Sequence, residues 1–417
     1  MSAPKFVDCN GLAGFMSLGM ANAGMKMQGR VGTLDFGNRV AEANRKHFNS
    51  DDEYWDAWFS DDPDDWPDFD DTDAVVGCPP CSGWSPFSGP TYRGPDSPAH
   101  VHTRAFMQYA ARQKPTVVSF ECVQQAYTQG REVMLQYRDM LEQLSGKEYD
   151  LYHVKHNNLR LGGFSFRPRY FWVAVEKGLP FGAHCDDPTE LPKIMEVIGD
   201  LADMPYQWEE QPYVGDDTKW TRSLRNQTGQ VDGHMGRTNI HAQRVEEVFT
   251  SIAEDDAWMA NESLGDALKK AVDNLGEFPP TWKNLEEGVR RKDYRLGFST
   301  PYRWSDRYWA NVLTGSALDH VVHPTKPRLI THREAARMQG LPDGWAIEPV
   351  RTYSALPAVW GKAVPVQAAT WLGEAINGAI KGTPTGPQGE LIGDREWLLN
   401  LDKGFSREAV RKRWYSE

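Results

Sequence analysis

Cysteine is scarce in this chain: five in 417 residues, an odd number scattered over Cys9, Cys78, Cys81, Cys122 and Cys185. That pattern excludes a regular disulfide framework and suits a reducing compartment. No apolar run approaches the roughly 20 residues needed to span a bilayer, so no membrane partner is expected. The opening stretch MSAPKFVDCN lacks a basic region followed by an apolar core, and no secretory leader is expected. Internal repeats are absent. These absences point to a soluble protein of the cytoplasm, and a monomer is expected. Lys and Arg are missing altogether from residues 51–73, which carry eleven Asp and one Glu. The other 46 acids balance the 46 bases, so the net charge of −12 belongs to that one segment. It reads as a solvated loop, or as an acidic stretch that repels phosphate or fills a basic groove.

The stretch VVGCPPCSGWSPFS, residues 75–88, organises the rest. Valines suggest a buried strand, and the Pro79-Pro80 pair ends it. Cys81 is then delivered on a stiff turn, where a thiol can serve as a nucleophile. The CxxC spacing with Cys78 also fits a redox pair or half a zinc site, but no second cysteine pair is available and no metal is expected.

Taken in order, Phe6-Val7 leads through Asp8, Asn10, Gly11 and Gly14 into a small-residue helix. A strand, glycine turn and helix of this kind suit a nucleotide-type cofactor. Asp35 closes the next strand, where an acid either binds ribose hydroxyls or caps the following helix. A helix is expected over 102–112, a strand over 115–123 ending at Glu121, a helix over 127–144, and strands near 151–154 and 170–175. This alternation predicts an α/β fold with a parallel, doubly wound sheet. From 178 to 325 the sustained periodicity is lost. The block at 290–309, RRKDYRLGFSTPYRWSDRYW, interleaves bases with aromatics, as a nucleic-acid contact or a solvated basic helix would. Helical patterns return at 327–345 and 361–380, and a polar tail follows Thr383.

With these parts in order the chain resembles the C5-cytosine DNA methyltransferases. GCPPCSGWS resembles their nucleophile loop GxPPCQGFS, FECV their ENV, and FRPRYF their RxR segment. RLITHREAARMQGLPD is close to RxLTxREAARLQGFPD, and GKAVPV to GNAVPV; His323-Pro324 also sits where the family often has this pair. The resemblance implies a Rossmann-like methyltransferase fold, a doubly wound mixed sheet with helices on both faces, together with a smaller target-recognition domain. Its expected boundaries are a cofactor-binding and catalytic domain at 1–177, target recognition at 178–325, a returning segment at 326–382 and a tail at 383–417. Double-stranded DNA would lie in the cleft between the two domains.

The resemblance further implies that Cys81 adds to C6 of a flipped cytosine, Glu121 works against N3, and Arg169, with Arg167, holds O2. S-adenosylmethionine would be held by Asp8, Asn10, Gly11, Gly14, Asp35, Asp61, Pro80 and Lys362. Departures from the family pattern lie at Asn10 in place of an aromatic, Ser82 and Ser165 in place of Gln, Cys122 in place of Asn, and Lys362 in place of Asn. Cys122 reads as a small buried residue. A lysine about 4 Å from a sulfonium repels it by roughly 4 kcal/mol at an effective dielectric near 20. Lys362 is therefore expected to meet an anion: a protein carboxylate, the amino-acid carboxylate of the donor, or a carboxylate on the transferred carbon. The last would be carboxy-S-adenosylmethionine, giving 5-carboxymethylcytosine. Transfer RNA as substrate, or a catalytically silent nucleic-acid-binding module, are the other classes open at this stage.

Overall fold

The computed structural model describes residues 2–35, 37–48, 58–86, 88–202, 302–304, 309–313, 321–325, 330–346 and 360–414. Most of the basic-aromatic block at 290–309, and most of the segment expected to recognise the target, lie outside these residues. The chain forms two compact units, one of residues 1–190 with 363–416, the other of residues 191–362.

The first unit is built on a nine-stranded sheet. Its strands are β1 (Lys5–Cys9), β2 (Lys26–Gly32), β3 (Trp58–Phe59), β4 (Ala74–Gly77), β5 (Val117–Cys122), β6 (Tyr149–Asn157), β8 (Pro168–Glu176), β12 (Glu390–Gly393) and β13 (Glu396–Asn400); the two-residue strands β7 (Ser165–Phe166) and β10 (Ala310–Asn311) are not part of it. They lie in the order β12-β13-β6-β8-β5-β4-β1-β2-β3. β1 pairs parallel with β2 on one side and β4 on the other. The strand order therefore reverses between β1 and β4, and the crevice outside their carboxyl ends is where open α/β sheets bind ligands. β4 through the centre is wholly buried, which is why VVSFEC and AVVG read as continuous apolar runs rather than alternating ones.

The sheet is mixed, as expected for the doubly wound architecture: β8 runs antiparallel to both β5 and β6. Only a short connection links Asn157 to Pro168, too short for the helical crossover that a parallel pair requires. The polar stretch after Thr383 also adds two strands to the sheet, β13 pairing parallel with β6 and β12 antiparallel with β13.

Helices cover both faces: α1 (Phe15–Asn22), α2 (Asn38–Ala43), α3 (His100–Gln113), α4 (Gln125–Thr128), α5 (Arg131–Ser145), and beyond the second unit α8 (Val366–Ile380) and α9 (Arg407–Trp414). α1 and α8 pack closely because their contact is made of small residues. A Cβ on Gly19 would lie 2.3 Å from the Cβ of Ala369. On the other face Phe106, Tyr109, Met134, Tyr137, Phe120 and Trp172 form one core, with Phe120 and Trp172 stacked at 5.2 Å.

In the second unit, the described elements include α6 (Ile194–Ile198), the parallel pair β9 (Tyr302–Arg303) and β11 (Val321–Val322), and α7 (His332–Met338). The THREAARM motif supplies its own helix start. Thr331 Oγ1 accepts from the Glu334 amide at 3.0 Å and the Glu334 carboxylate accepts from the Thr331 amide at 2.8 Å.

The tail is fastened to the sheet by a buried polar network. Glu396 accepts two 2.6 Å bonds from Arg131, and His153 bridges it at 2.8 Å to Tyr170 at 2.6 Å. Burial pushes the Glu396 carboxyl up, but these bonds outweigh it and hold the carboxyl at about 2. A carboxyl depressed in the fold contributes stability that is fully present above its ordinary value near 4.5 and lost as pH falls towards about 2. Glu396→Gln should therefore lower the urea midpoint at neutral pH and flatten its fall between those limits. An unchanged acid limb would show that this network does not titrate with folding.

Candidate active site

Cys81 stands just beyond the carboxyl end of β4. The Cys78 amide still reaches the Cys9 carbonyl at 3.3 Å, and the two prolines that follow have no amide with which to continue the ladder. The Trp84 amide then closes a turn on the Cys81 carbonyl at 3.0 Å. Cys81 is half-buried, and all five cysteines are free thiols.

Glu121, next to last in β5, is 1% exposed. Its Oε1 lies 3.1 Å from Arg169 Nε and 3.6 Å from Arg167 Nη2. Both arginines come from the start of β8 and the residue before it, and the antiparallel pairing brings that end of β8 to the carboxyl end of β5. Arg167 also donates to the Ala363 carbonyl at 3.1 Å. Burial, followed by Arg169, pulls the Arg167 guanidinium down to about 10, which leaves it charged at neutral pH. Thus Cys81, Glu121, Arg167 and Arg169 are brought together.

Two further thiols share this pocket. Buried Cys78 donates to Glu121 Oε2 at 3.8 Å. Cys122 hydrogen-bonds Cys81, and this bond is the leading cause that lowers the Cys81 thiol from its ordinary range, with Arg169 and Arg167 acting in the same direction. Burial raises the thiols of Cys78 and Cys122 well above that range. The site thus favours one thiolate, at Cys81, flanked by two thiol donors.

The candidate cofactor residues gather at the neighbouring strand ends. Asn10 (φ 57°) clips β1 to the end of β2: its Oδ1 accepts from the Thr33 amide at 2.9 Å and the Leu34 amide at 3.3 Å. Asp8 is fully buried; Ser17 bonds its Oδ2, and Arg30 Nε lies 3.7 Å away. Arg30 also grips the Leu12 carbonyl and Asn38 Oδ1 at 2.6 Å. Gly11 is required where it is, because a Cβ there would lie 1.9 Å from Asp8 Oδ1. Asn10 Nδ2 and Asp8 Oδ1 are buried without a hydrogen-bond partner among the described residues, so the loop fits a polar ligand. Gly14 (φ 87°) starts α1, exposed Asp35 follows β2, exposed Asp61 follows β3, and half-buried Pro80 adjoins Cys81. Lys362 is exposed and belongs to the second unit.

The sequence matches the C-5 cytosine-specific DNA methylase family over residues 5–378. The chain belongs to that family. It is 24% identical over 350 residues to the Type II methyltransferase M.XorII of Xanthomonas oryzae pv. oryzae, covering 79% of this chain and 73% of the relative. Its fold is similar to that of a prophage-encoded DNA modification methyltransferase of E. coli, with a TM-score of 0.54 and 18% identity, over 91% of this chain and 100% of the other. The S. pombe Dnmt2 methyltransferase gives a TM-score of 0.49 at 11% identity over 88% and 96% of the two chains. Membership makes the protein a C5-cytosine DNA methyltransferase with an S-adenosylmethionine-type donor.

Several residues of this methyltransferase's site go unnoticed in the sequence. Arg30 is a charge inside a buried strand, which is a signal in itself. Cys122 reads as a small buried residue and Cys78 as one half of a CxxC spacing; both are buried, with Cys78 against Glu121 and Cys122 against Cys81. His102 bonds Thr33 Oγ1 at 2.7 Å beside the Asn10 clip; burial lowers its imidazole from the ordinary range, with Asp61 acting in the opposite direction. His156, facing Arg169 across the β6–β8 pair, is 1% exposed and stacks on Phe171 at 4.2 Å.

The Cys122 bond has a measurable consequence. In Cys122→Ala the midpoint of Cys81 alkylation by iodoacetamide, followed by peptide mass spectrometry against pH, should move to higher pH. A midpoint that stays put would show that Cys122 does not stabilise the thiolate.

Proposed function

We propose that the protein transfers a one-carbon-derived group to C5 of a flipped cytosine in duplex DNA through a covalent bond between Cys81 and C6. The observation that carries this reading is the half-buried Cys81, favoured as thiolate, beside a buried Glu121 held by Arg167 and Arg169. A base can reach such a pocket only by leaving the stack.

C5 of cytosine is a weak nucleophile. Addition of Cys81 Sγ to C6 forms the S–C6 bond and moves the ring's π pair onto C5, with charge shared by N3 and O2. Glu121 shares a proton with N3, and Arg169 and Arg167 hold O2 as fixed cations where that charge grows. The β1 loop and the ends of β2 and β3 would hold the S-adenosylmethionine-type donor, which would supply the electrophilic carbon for C5 as that carbon's bond to sulfur breaks and a neutral thioether leaves. The C5 proton then leaves, the S–C6 bond breaks, and Cys81 returns as thiolate with the C5–C6 double bond restored. The expected product is 5-methylcytosine.

A second donor is suggested by Lys362, whose neighbour Ala363 accepts the Arg167 bond. Its exposure removes burial as a reason for it to need an anion. Repulsion of a sulfonium remains, and a carboxylate on the transferred carbon of carboxy-S-adenosylmethionine would relieve it.

Cys81→Ala should abolish turnover and covalent trapping on 5-fluorocytosine DNA. Retained function in that variant would favour a silent binding module, and trapping on transfer RNA in place of DNA would change the substrate. Nucleoside mass spectrometry after incubation with each donor separates the products. Only 5-methylcytosine, with no gain from the carboxylated donor, would exclude 5-carboxymethylcytosine.

A further inference from the structure

We propose that His156 is a positioning residue for the reaction: its imidazole takes a guanidinium N–H of Arg169 and keeps that arginine aimed at O2 once Glu121 has turned to the base. The inference rests on the reading of Arg169 as a group that holds O2.

Register brings the two side chains together. His156 is directly opposite Arg169 in the β6–β8 ladder, and opposite residues of an antiparallel pair share a face with Cβ atoms about 4.5–5.5 Å apart. Glu121 is opposite Phe171 in the β5–β8 ladder, so Glu121, Arg169, Phe171 and His156 all project from one face of the sheet. Arg169 therefore stands between a carboxyl group from β5 and an imidazole from β6. Gln124 ties the two backbones at the imidazole side, its Nε2 donating to the His156 carbonyl at 3.5 Å and the Arg169 carbonyl at 3.4 Å. The His156 ring lies flat against Phe171, at 4.2 Å and 13°.

A buried histidine with a structural task gives its nitrogens partners. His153, on the same strand, does so: Nδ1 meets the Tyr170 hydroxyl at 2.6 Å and Nε2 meets Glu396 at 2.8 Å. His156 is 1% exposed, yet neither of its nitrogens has a hydrogen-bond partner among the described residues. Polar atoms left unpaired in a dry site are costly, and a guanidinium faces these. Burial, then Arg169 and Arg167, holds the imidazole well below its ordinary range, so it is neutral and one ring nitrogen keeps a lone pair. Arg169 is anchored by Nε, 3.1 Å from Glu121, and by Nη1, which donates to the Pro168 carbonyl at 2.8 Å. Those contacts use two of its five donors.

When Glu121 turns to N3, the carboxyl group that fixes Arg169 is drawn away. An acceptor on the other side, held by Phe171, keeps the guanidinium fork in place. Being neutral, it does not compete with O2 for the cation. Its contribution belongs to the transition state, where charge on O2 is greatest, so it is read in kcat and not in KM.

Tritium release from a random-sequence duplex labelled at cytosine C5 measures turnover with either donor and without knowledge of the target. His156→Phe keeps the stacked ring and removes both nitrogens. It should lower kcat about tenfold or more with KM for DNA held within about twofold, and His156→Gln, which restores an acceptor, should recover most of the loss. Combination with Arg169→Lys separates positioning from packing: if His156 acts through the guanidinium, His156→Phe adds less than about twofold to the loss from Arg169→Lys alone. A loss that multiplies in full, or that Gln does not relieve, marks His156 as a core residue and overturns the inference, as does wild-type kcat in His156→Phe. A fall in stability acts equally in both backgrounds, so the comparison holds even if the Phe variant melts early. Full turnover in Arg169→Ala overturns instead the reading beneath, that this arginine holds O2.

Discussion

The site depends on placing a carboxyl group, that of Glu121, almost wholly out of water between two guanidiniums. An isolated buried carboxylate is penalised by several kcal/mol, and the penalty is offset only by well-placed partners of opposite charge. Arg169 and Arg167 provide them, and this demand bears on the topology. Their segment opens β8. Were β8 parallel to β5, its start would fall at the opposite edge of the sheet, a strand length from Glu121. The reversal of β8, made possible by the short link from Asn157 to Pro168, carries both guanidiniums to the thiol. The one central strand that breaks the parallel pattern is the one whose reversal brings the two guanidiniums to Glu121.

A related solution appears under the cofactor loop. The glycines of the first loop are displaced from the family pattern, and Asn10 stands where an aromatic is usual. The loop is shaped by polar groups. Asp8 and Arg30 form a buried pair, Arg30 grips the Leu12 carbonyl, and the Asn10 carboxamide gathers the amides at the end of β2. Leu12 and Asn10 both hold left-handed backbone, with φ of 53° and 57°, a conformation disfavoured for side-chain-bearing residues. The Arg30 and Asn10 bonds are what hold it. A loop built this way gives up the ring face offered by an aromatic and gains fixed hydrogen-bonding groups.

Much of this was legible in the sequence because it is encoded locally. Pro79-Pro80 announces the end of β4, the run PTVVSFECV announces β5, and the motif order names Glu121, Arg167 and Arg169. What was not legible lies in relations between distant segments. The direction of β8 is not written in its apolar pattern, since parallel and antiparallel buried strands read alike. β12 and β13 were hidden because strands at a sheet's edge carry exposed polar residues, and ELIG and EWLLN resemble a solvated tail. Arg30 looked like a strand residue of the wrong kind until its carbonyl and carboxylate partners were in view. Cys122 looked small and buried, which it is; its role depends on a thiol that arrives from another strand.

That last case shows how three neighbouring thiols come to differ in their readiness to ionise. A thiolate at Cys78 would lie against the Glu121 carboxylate, and one at Cys122 would be buried beside both Cys81 and that carboxylate. Like charge and desolvation act together to keep both protonated. Once protonated, each is a donor, Cys78 to Glu121 and Cys122 to Cys81. The arginines that balance Glu121 also favour the anion at Cys81, the half-buried member of the three. The burial that silences Cys78 and Cys122 therefore activates the third thiol, because the protons they retain are the ones directed at the reacting pair.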